Sequence, residues 1–254
     1  MSWHVATKRG RDLMKWAPAP LRRLVIALFV IAGVIGLGFA ALWVSTPSAG
    51  DVQQRVRERT DRFGVVLLSP NQVPPLLAQA VVATEDDQFY SHHGIDSIGL
   101  GRAFLYDVTH FCPCEGGSTI TEQLVKDVYL KGNARGYNKV KELVIALKVE
   151  RVITKNQIMA DYLSEITTGY GRYGVSSAAC AYFHAPLGRL TLAQYALLAG
   201  VTQAPSRYDP TVNPDAAAAR RSHVLQMMLA HGLITAEQAA GADAEPVLTS
   251  GPGC

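Results

Sequence analysis

Asn138-Lys139-Val140-Lys141-Glu142-Leu143-Val144-Ile145-Ala146-Leu147 is the stretch on which the fold class turns. Val140, Leu143, Val144 and Leu147 fall at i, i+3, i+4 and i+7, the apolar stripe of an amphipathic helix, and Asn138 can cap its start. On this reading Lys139 and Glu142 are i, i+3 neighbours on the opposite, solvated face, where an ion pair adds little. The same helical pattern recurs on both sides. Thr154 with Gln157, Thr191 with Gln194 and Thr235 with Gln238 have the spacing of capping boxes. Upstream, Asn71 and Pro74 open a segment whose apolar residues Leu76, Leu77, Ala80 and Val81 end near the acids Glu85, Asp86 and Asp87. Asp96 can cap a helix running through Tyr106, and Ser118 or Thr119 starts another with Ile120, Leu124 and Val128 on one face. A strand-like alternation is confined to Val65–Ser69, and no internal repeat is present. The expected fold is mainly α.

With 254 residues and a formal charge of +3, the chain is long enough for one sizeable domain and too short for several. Its Lys and Arg residues are dispersed, which excludes the basic footprint of a nucleic-acid partner. From Leu24 to Val44 no residue is charged. At 1.5 Å per residue that run can cross a hydrocarbon core of roughly 30 Å. Lys8, Arg9, Arg11, Lys15, Arg22 and Arg23 precede it against the single acid Asp12, so residues 1–23 are expected in the cytoplasm and everything after Val44 on the outer or periplasmic side. A cleaved signal peptide fits less well, because the apolar run exceeds the usual h-region and no A-x-A site follows. Trp43 suits an interfacial anchor. Residues 45–64, polar and charged, are expected to form a stalk, residues 65–241 the folded domain and residues 242–254 a loosely ordered tail. Cys112, Cys114, Cys180 and Cys254 would lie in an envelope compartment where disulfides persist. The Cys-Pro-Cys spacing has no matching pair, which disfavours zinc and leaves free or mutually paired cysteines.

Three segments carry candidate chemistry. In Thr84-Glu85-Asp86-Asp87-Gln88-Phe89-Tyr90-Ser91-His92-His93-Gly94, acids end an apolar helix where cations are preferred. A carboxylate beside Val81, Val82 and Phe89 could have a raised pKa and act as a general base; a solvated helix end is the plain alternative. In Gly116-Gly117-Ser118-Thr119-Ile120-Thr121-Glu122-Gln123-Leu124-Val125-Lys126, paired glycines open a helix whose N–H groups can meet an anion, with Lys126 two turns on. It is not a Walker loop, since Gly-Lys-Ser/Thr is missing. Lys139 and Glu142 form the third.

Together and in this order, the segments resemble the peptidoglycan glycosyltransferase family, found as single-domain enzymes and as the polymerising half of class A penicillin-binding proteins. Glu85, Asp86, Phe89, His92 and Gly94 match Glu-Asp-x-x-Phe-x-x-His-x-Gly. The second segment matches Gly-Gly-Ser-Thr-Ile-Thr-Gln-Gln-Leu-x-Lys-Asn with Glu122 for the first Gln and Asp127 for the final Asn. The third is like Arg-Lys-x-x-Glu with Asn138 for Arg. A fourth stretch carries Lys155, Ile158, Tyr162, Leu163, Gly169, Gly174, Ala178, Ala179, Tyr182 and Phe183, departing at Ala160 and Ser164 from the usual Glu and Asn. A fifth, Leu190–Pro210, is similar to Leu-Ala-Gly-x-x-x-x-Pro-x-x-Tyr-x-Pro.

The resemblance implies a lysozyme-like helical glycosyltransferase domain with a small membrane-proximal lobe near Phe104, Leu105, Tyr106 and Phe111, preceded by one transmembrane helix in the bacterial inner membrane. It implies polymerisation of lipid II, a lipid-linked disaccharide-peptide, with inversion and release of polyprenyl pyrophosphate. Glu85 would take the proton of the acceptor hydroxyl, and Glu142, the second family carboxylate, would orient substrate. Asp86, Gly117, Ser118, Thr119, Gln123, Lys126, Arg135 and Lys139 would bind substrate, with Arg135 replacing the cation lost at Asn138. Asp86 would position Glu85 or meet a divalent ion, Mg or Mn; no cofactor is otherwise implied. His92 and His93 are expected to fix a loop rather than bind metal. The implied partners are lipid II, the growing strand, the membrane, penicillin-binding proteins and division proteins. The Glu122 and Asn138 departures, one adding a negative charge and one losing a positive charge, make the donor side less positive by about two charges, which at an effective dielectric near 20 costs on the order of several kcal/mol at close range. Two rivals follow: a catalytically weak scaffold that binds lipid II, and a hydrolase that cuts existing strands. No transpeptidase is expected, because Ser-x-x-Lys and Lys-Thr-Gly are both missing.

Overall fold

A computed structural model of the chain describes residues 18–110, 117–169 and 171–248, without the side chains of 100, 103–105, 107, 108 and 110. Two compact units divide after Pro47. The first carries helix α1, Ala19–Ser45, with prolines at its start and Ser45 and Thr46 hydroxyls bonded back to the Leu42 carbonyl. This 27-residue helix buries none of its residues and is apolar and long enough to cross a membrane.

The second unit begins at Ser48, and there the expected stalk is corrected. Val52–Phe63 forms helix α2, with Val52, Val56 and Thr60 at i, i+4 and i+8 all buried. The segment is highly charged and therefore polar by composition, yet one narrow apolar stripe suffices to dock it. Gly64 ends α2 in the left-handed conformation. The alternation at Val65–Ser69 forms no strand: Leu68 is buried with its N–H on Ser164 Oγ at 2.8 Å, while Val66 is exposed. Among the described residues the β-structure is one small antiparallel pair, β1 Thr167–Gly169 with β2 Arg172–Tyr173.

The remaining elements are helices: α3 Pro75–Glu85, α4 Ser97–His110, α5 Ile120–Tyr129, α6 Tyr137–Val149, α7 Lys155–Glu165, α8 Val175–Phe183, α9 Leu192–Val201, α10 Pro214–Ala230 and α11 Ala236–Asp243. Thr119, Thr154, Thr191 and Thr235 each cap a helix, and the full reciprocal box forms at Thr191 and Thr235. Thr154 makes only half of one, because the Gln157 amide donates to Asp161 at 2.8 Å instead. Ala193 through Val201 of α9 are all buried, as expected for a helix apolar on every side, and α9 packs on α3 and α10. Gly200 permits that packing, since a Cβ there would lie 2.9 Å from Arg220 Cγ. The expected loose tail is docked as far as residue 248: Arg221 donates to the Asp243 and Pro246 carbonyls, and Thr191 to Glu245.

Helix α6 differs from expectation in start and in face. It begins after Gly136, φ +55°, so Asn138 lies inside its first turn. Of the expected stripe Val144 is buried, beside Glu142, Ile145, Ala146 and Val149, whereas Val140 is 41% exposed and Leu143 and Leu147 are half-buried. The helix has apolar residues on both candidate faces, so contacts across to α5 decide the rotation. Gly94 contributes: at φ +98°, its Cα sits so close that a Cβ would come within 3.0 Å of the Ala146–Leu147 backbone.

Candidate active site

Helix α3 ends at Glu85, and Asp86 continues as its C-cap. The turn that follows is held by Asp86 itself. Its carboxylate accepts from His92 Nε2 at 3.0 Å and from the Ile120 N–H, the first residue of α5, at 3.0 Å. Gly94 N–H donates to His92 Nδ1 at 3.1 Å, which puts the His92 proton on Nε2, toward Asp86. Thr119 donates its hydroxyl to the Gly94 carbonyl and accepts from the Glu122 N–H. Thus an acid that looked misplaced at one helix end satisfies the N-terminus of another. Part of the α5 anion site is therefore filled from within, and Thr119 is spent on capping. Both Asp86 oxygens thus accept from protein donors. Among the described residues no group of three His, Cys, Asp or Glu is placed to hold a metal.

These contacts bring α3, α5, α4 and α10 around a cleft of about 650 Å³. Glu85, Asp86, Gly117, Ser118, Thr119 and Gln123 all line it, joined by Arg102 of α4, by His223 and Met227 of α10 and by its C-cap His231. Glu85 is 11% exposed at its side chain. Gln123 donates to its Oε2 at 3.1 Å and Arg220 approaches Oε1 at 3.5 Å. Gln123 accepts in turn from the buried Tyr162 hydroxyl at 3.3 Å, which fixes its amide. Burial raises the Glu85 pKa above the usual carboxylate value; Gln123, Arg220 and Lys126 oppose that shift, and Asp86 adds to it. Lys126 thus acts on Glu85 electrostatically, though it is not among the residues that line the cleft.

Lys139 lies farther along. Its Nζ donates to Ser118 Oγ at 2.8 Å, to Glu122 Oε2 at 2.7 Å and to Glu142 Oε1 at 2.5 Å. Ser118 lines the cleft and so connects it to this cluster. Arg135 is exposed and is not among the residues that line the cleft.

The transglycosylase family model matches residues 52–229. The chain belongs to the transglycosylase family. Among similar proteins, penicillin-binding protein 1A of Escherichia coli is 40% identical over 168 residues, covering 66% of this chain and 20% of that protein. Penicillin-binding protein 1F of Bacillus subtilis is 39% identical over 172 residues, covering 68% of this chain and 24% of that protein. A crystal structure of penicillin-binding protein 1A from Haemophilus influenzae covers 73% of the chain and 18% of that structure, at 25% identity and a TM-score of 0.42. The transglycosylase chain thus spans a quarter or less of the length of these relatives.

The matched segment starts at the first residue of α2, which agrees with the docking of that helix. Arg220 is the residue that motif spacing does not reveal. A signal was present: Ala217, Arg220, Val224 and Met228 form the buried stripe of α10, and a charge inside an apolar stripe is a local conflict of the kind that marks sites. Cys180 is disulfide-bonded, while Cys112, Cys114, Phe111 and Cys254 lie outside the described residues.

Proposed function

We propose that this transglycosylase is a peptidoglycan glycosyltransferase that joins lipid II units into glycan strands, with α1 anchoring it in the bacterial inner membrane and residues 1–23 on the cytoplasmic side. The observation that carries this reading is Glu85: a cleft carboxylate of raised pKa, held by Gln123, in electrostatic reach of Lys126. A glycosyl acceptor hydroxyl is far too weak an acid to attack unaided, so a base of raised pKa at hydrogen-bonding distance supplies the required proton transfer. Glu85 takes that proton while the acceptor oxygen bonds to the anomeric carbon of the donor sugar. The bond from that carbon to the pyrophosphate oxygen breaks with inversion, and the electron pair leaves on the polyprenyl pyrophosphate. Its growing charge is met by Lys126, by the Gly117–Ser118 turn and by Lys139 through Ser118. Glu142 acts through Lys139 rather than on the sugar, since it is 2% exposed. Asp86 positions Glu85 by fixing the turn and needs no metal for that.

The test is polymerisation of purified lipid II by the full chain in detergent, beside Glu85→Gln. Polymer from the wild type and none from the variant, with equal thermal stability and equal lipid binding, is the expected result. Lipid II binding without polymer in the wild type would instead leave the scaffold reading, and soluble muropeptides released from sacculi would restore the hydrolase.

A further inference from the structure

Glu122 and Glu142 face each other across α5 and α6, each 2% exposed, and both contact the same ammonium, Lys139 Nζ. Glu142 in turn raises the Glu122 pKa. Two carboxyls gathered on one nitrogen can bond to each other only when one of them carries a proton. One half-buried cation also cannot offset two buried anions, since each uncompensated charge in the interior is costly. We propose that Glu122 is a positioning residue: it shares one proton with Glu142, and this singly protonated pair holds Lys139 on Ser118 so that the cluster stays neutral where it meets the anionic part of the substrate. The inference rests on reading the Ser118 side of the cleft as the pyrophosphate side.

The charges that act on Glu122 are named by position. From α6 they are Lys139 and Glu142. The charged groups of α2 and α7 act on the other end of α5: Arg59 and Glu165 work on Asp127 and Lys126. Glu122 is therefore governed by this one pair. Burial raises it to about 7, with Lys139 opposing and Glu142 reinforcing the shift. Below that pH the cluster sums to zero: one ammonium, and two carboxyls that share one proton and one negative charge. Above it a second carboxylate appears beside the phosphate-facing hydroxyl, and the cluster becomes an anion that repels a departing diphosphate.

Two measurements test this on the full chain in detergent micelles. The first is the ratio of polymerisation rates at pH 8 and pH 6 for wild type and Glu122→Gln, in which the Glu85 contribution cancels. A group titrating near 7 falls from about nine-tenths to about one-tenth protonated across that interval, so the wild-type ratio is expected to be about tenfold below that of the variant. Equal ratios would overturn the proposal. The second does not depend on activity: carbon-13 NMR of side-chain carboxyls in Glu-labelled protein without substrate. A titration near pH 7 that disappears in Glu122→Gln and moves to lower pH in Glu142→Gln supports the shared proton. Both carboxyls titrating below pH 5 would sink it, even if polymerisation itself proved absent.

Discussion

Glu122 and Gln123 are neighbours on α5, and each meets a different glutamate. Gln123 donates to Glu85 at the cleft, whereas Glu122 pairs with Glu142 beneath Lys139. Glu85 keeps 11% of its side chain accessible and has its nearest cation, Arg220, at 3.5 Å. Glu142 is closed off and sits against an ammonium. Two identical side chains thus acquire different chemistry: one is left able to accept a proton from a substrate, the other is fixed as part of an internal charge lattice. What separates them is access to the reacting atoms and the distance to the nearest full positive charge.

Substituting the two glutamates gives the largest expected contrast. Glu85→Gln should lower polymerisation by about 10² to 10⁴-fold, the usual worth of a general base. Glu142→Gln should lower it by roughly ten- to a hundredfold, through a displaced Lys139. Equal losses in a lipid II assay would erase the distinction. A second buried acid extends the comparison to stability. Glu165, wholly buried with Arg59 at 2.5 Å from one oxygen and its other oxygen without a partner, is raised by burial to about 8. Its folded pKa exceeds its unfolded value near 4.5, so the folded state binds more protons between those values. Stability is then greatest on the acid side and declines as pH rises toward 8; Glu122, raised to about 7, and Asp161, raised to about 6, have the same sign. Denaturant unfolding at pH 5.5 and 8.5 should show a loss on the alkaline side, with Glu165→Gln removing about 3 kcal/mol of it.

The cations can be compared the same way. Lys139→Ala strands two buried carboxyls and should cost about 2 kcal/mol in urea unfolding, below the range for fully buried pairs because part of Lys139 meets solvent. Lys126→Ala removes no ion pair among the described residues and should cost under about 1 kcal/mol while reducing turnover, a split that equal destabilisation would contradict. The smallest effect is expected from Arg220→Gln. Removing a charge that holds the Glu85 pKa down lets it rise, so the acid-side half-maximum of the polymerisation profile should move to higher pH.

Much of the fold is readable from local pattern. The starts of α5, α7, α9 and α11 follow from Thr caps whose geometry involves only three or four residues, and α3 ends at Glu85 where its apolar spacing stops. The candidate site is partly readable in the same way, because Glu85, Gly117, Ser118 and Gln123 lie in two short segments. The docking of α2 and the rotation of α6 escape such reading. Both hang on which of two modest apolar faces finds a neighbour.

The 3.6-residue period, the caps, the uncharged run through α1 and the kinds of chemical groups in each motif are properties of neighbouring residues, and the sequence by itself determined them. Tertiary structure alone decided that Asp86 serves the N-terminus of α5, that Glu142 faces inward beside Glu122, and that Arg220 reaches Glu85 from 135 residues away. The physical reason is that desolvation and Coulomb interaction depend on distance through space and on what excludes water, quantities that exist only once the helices have packed.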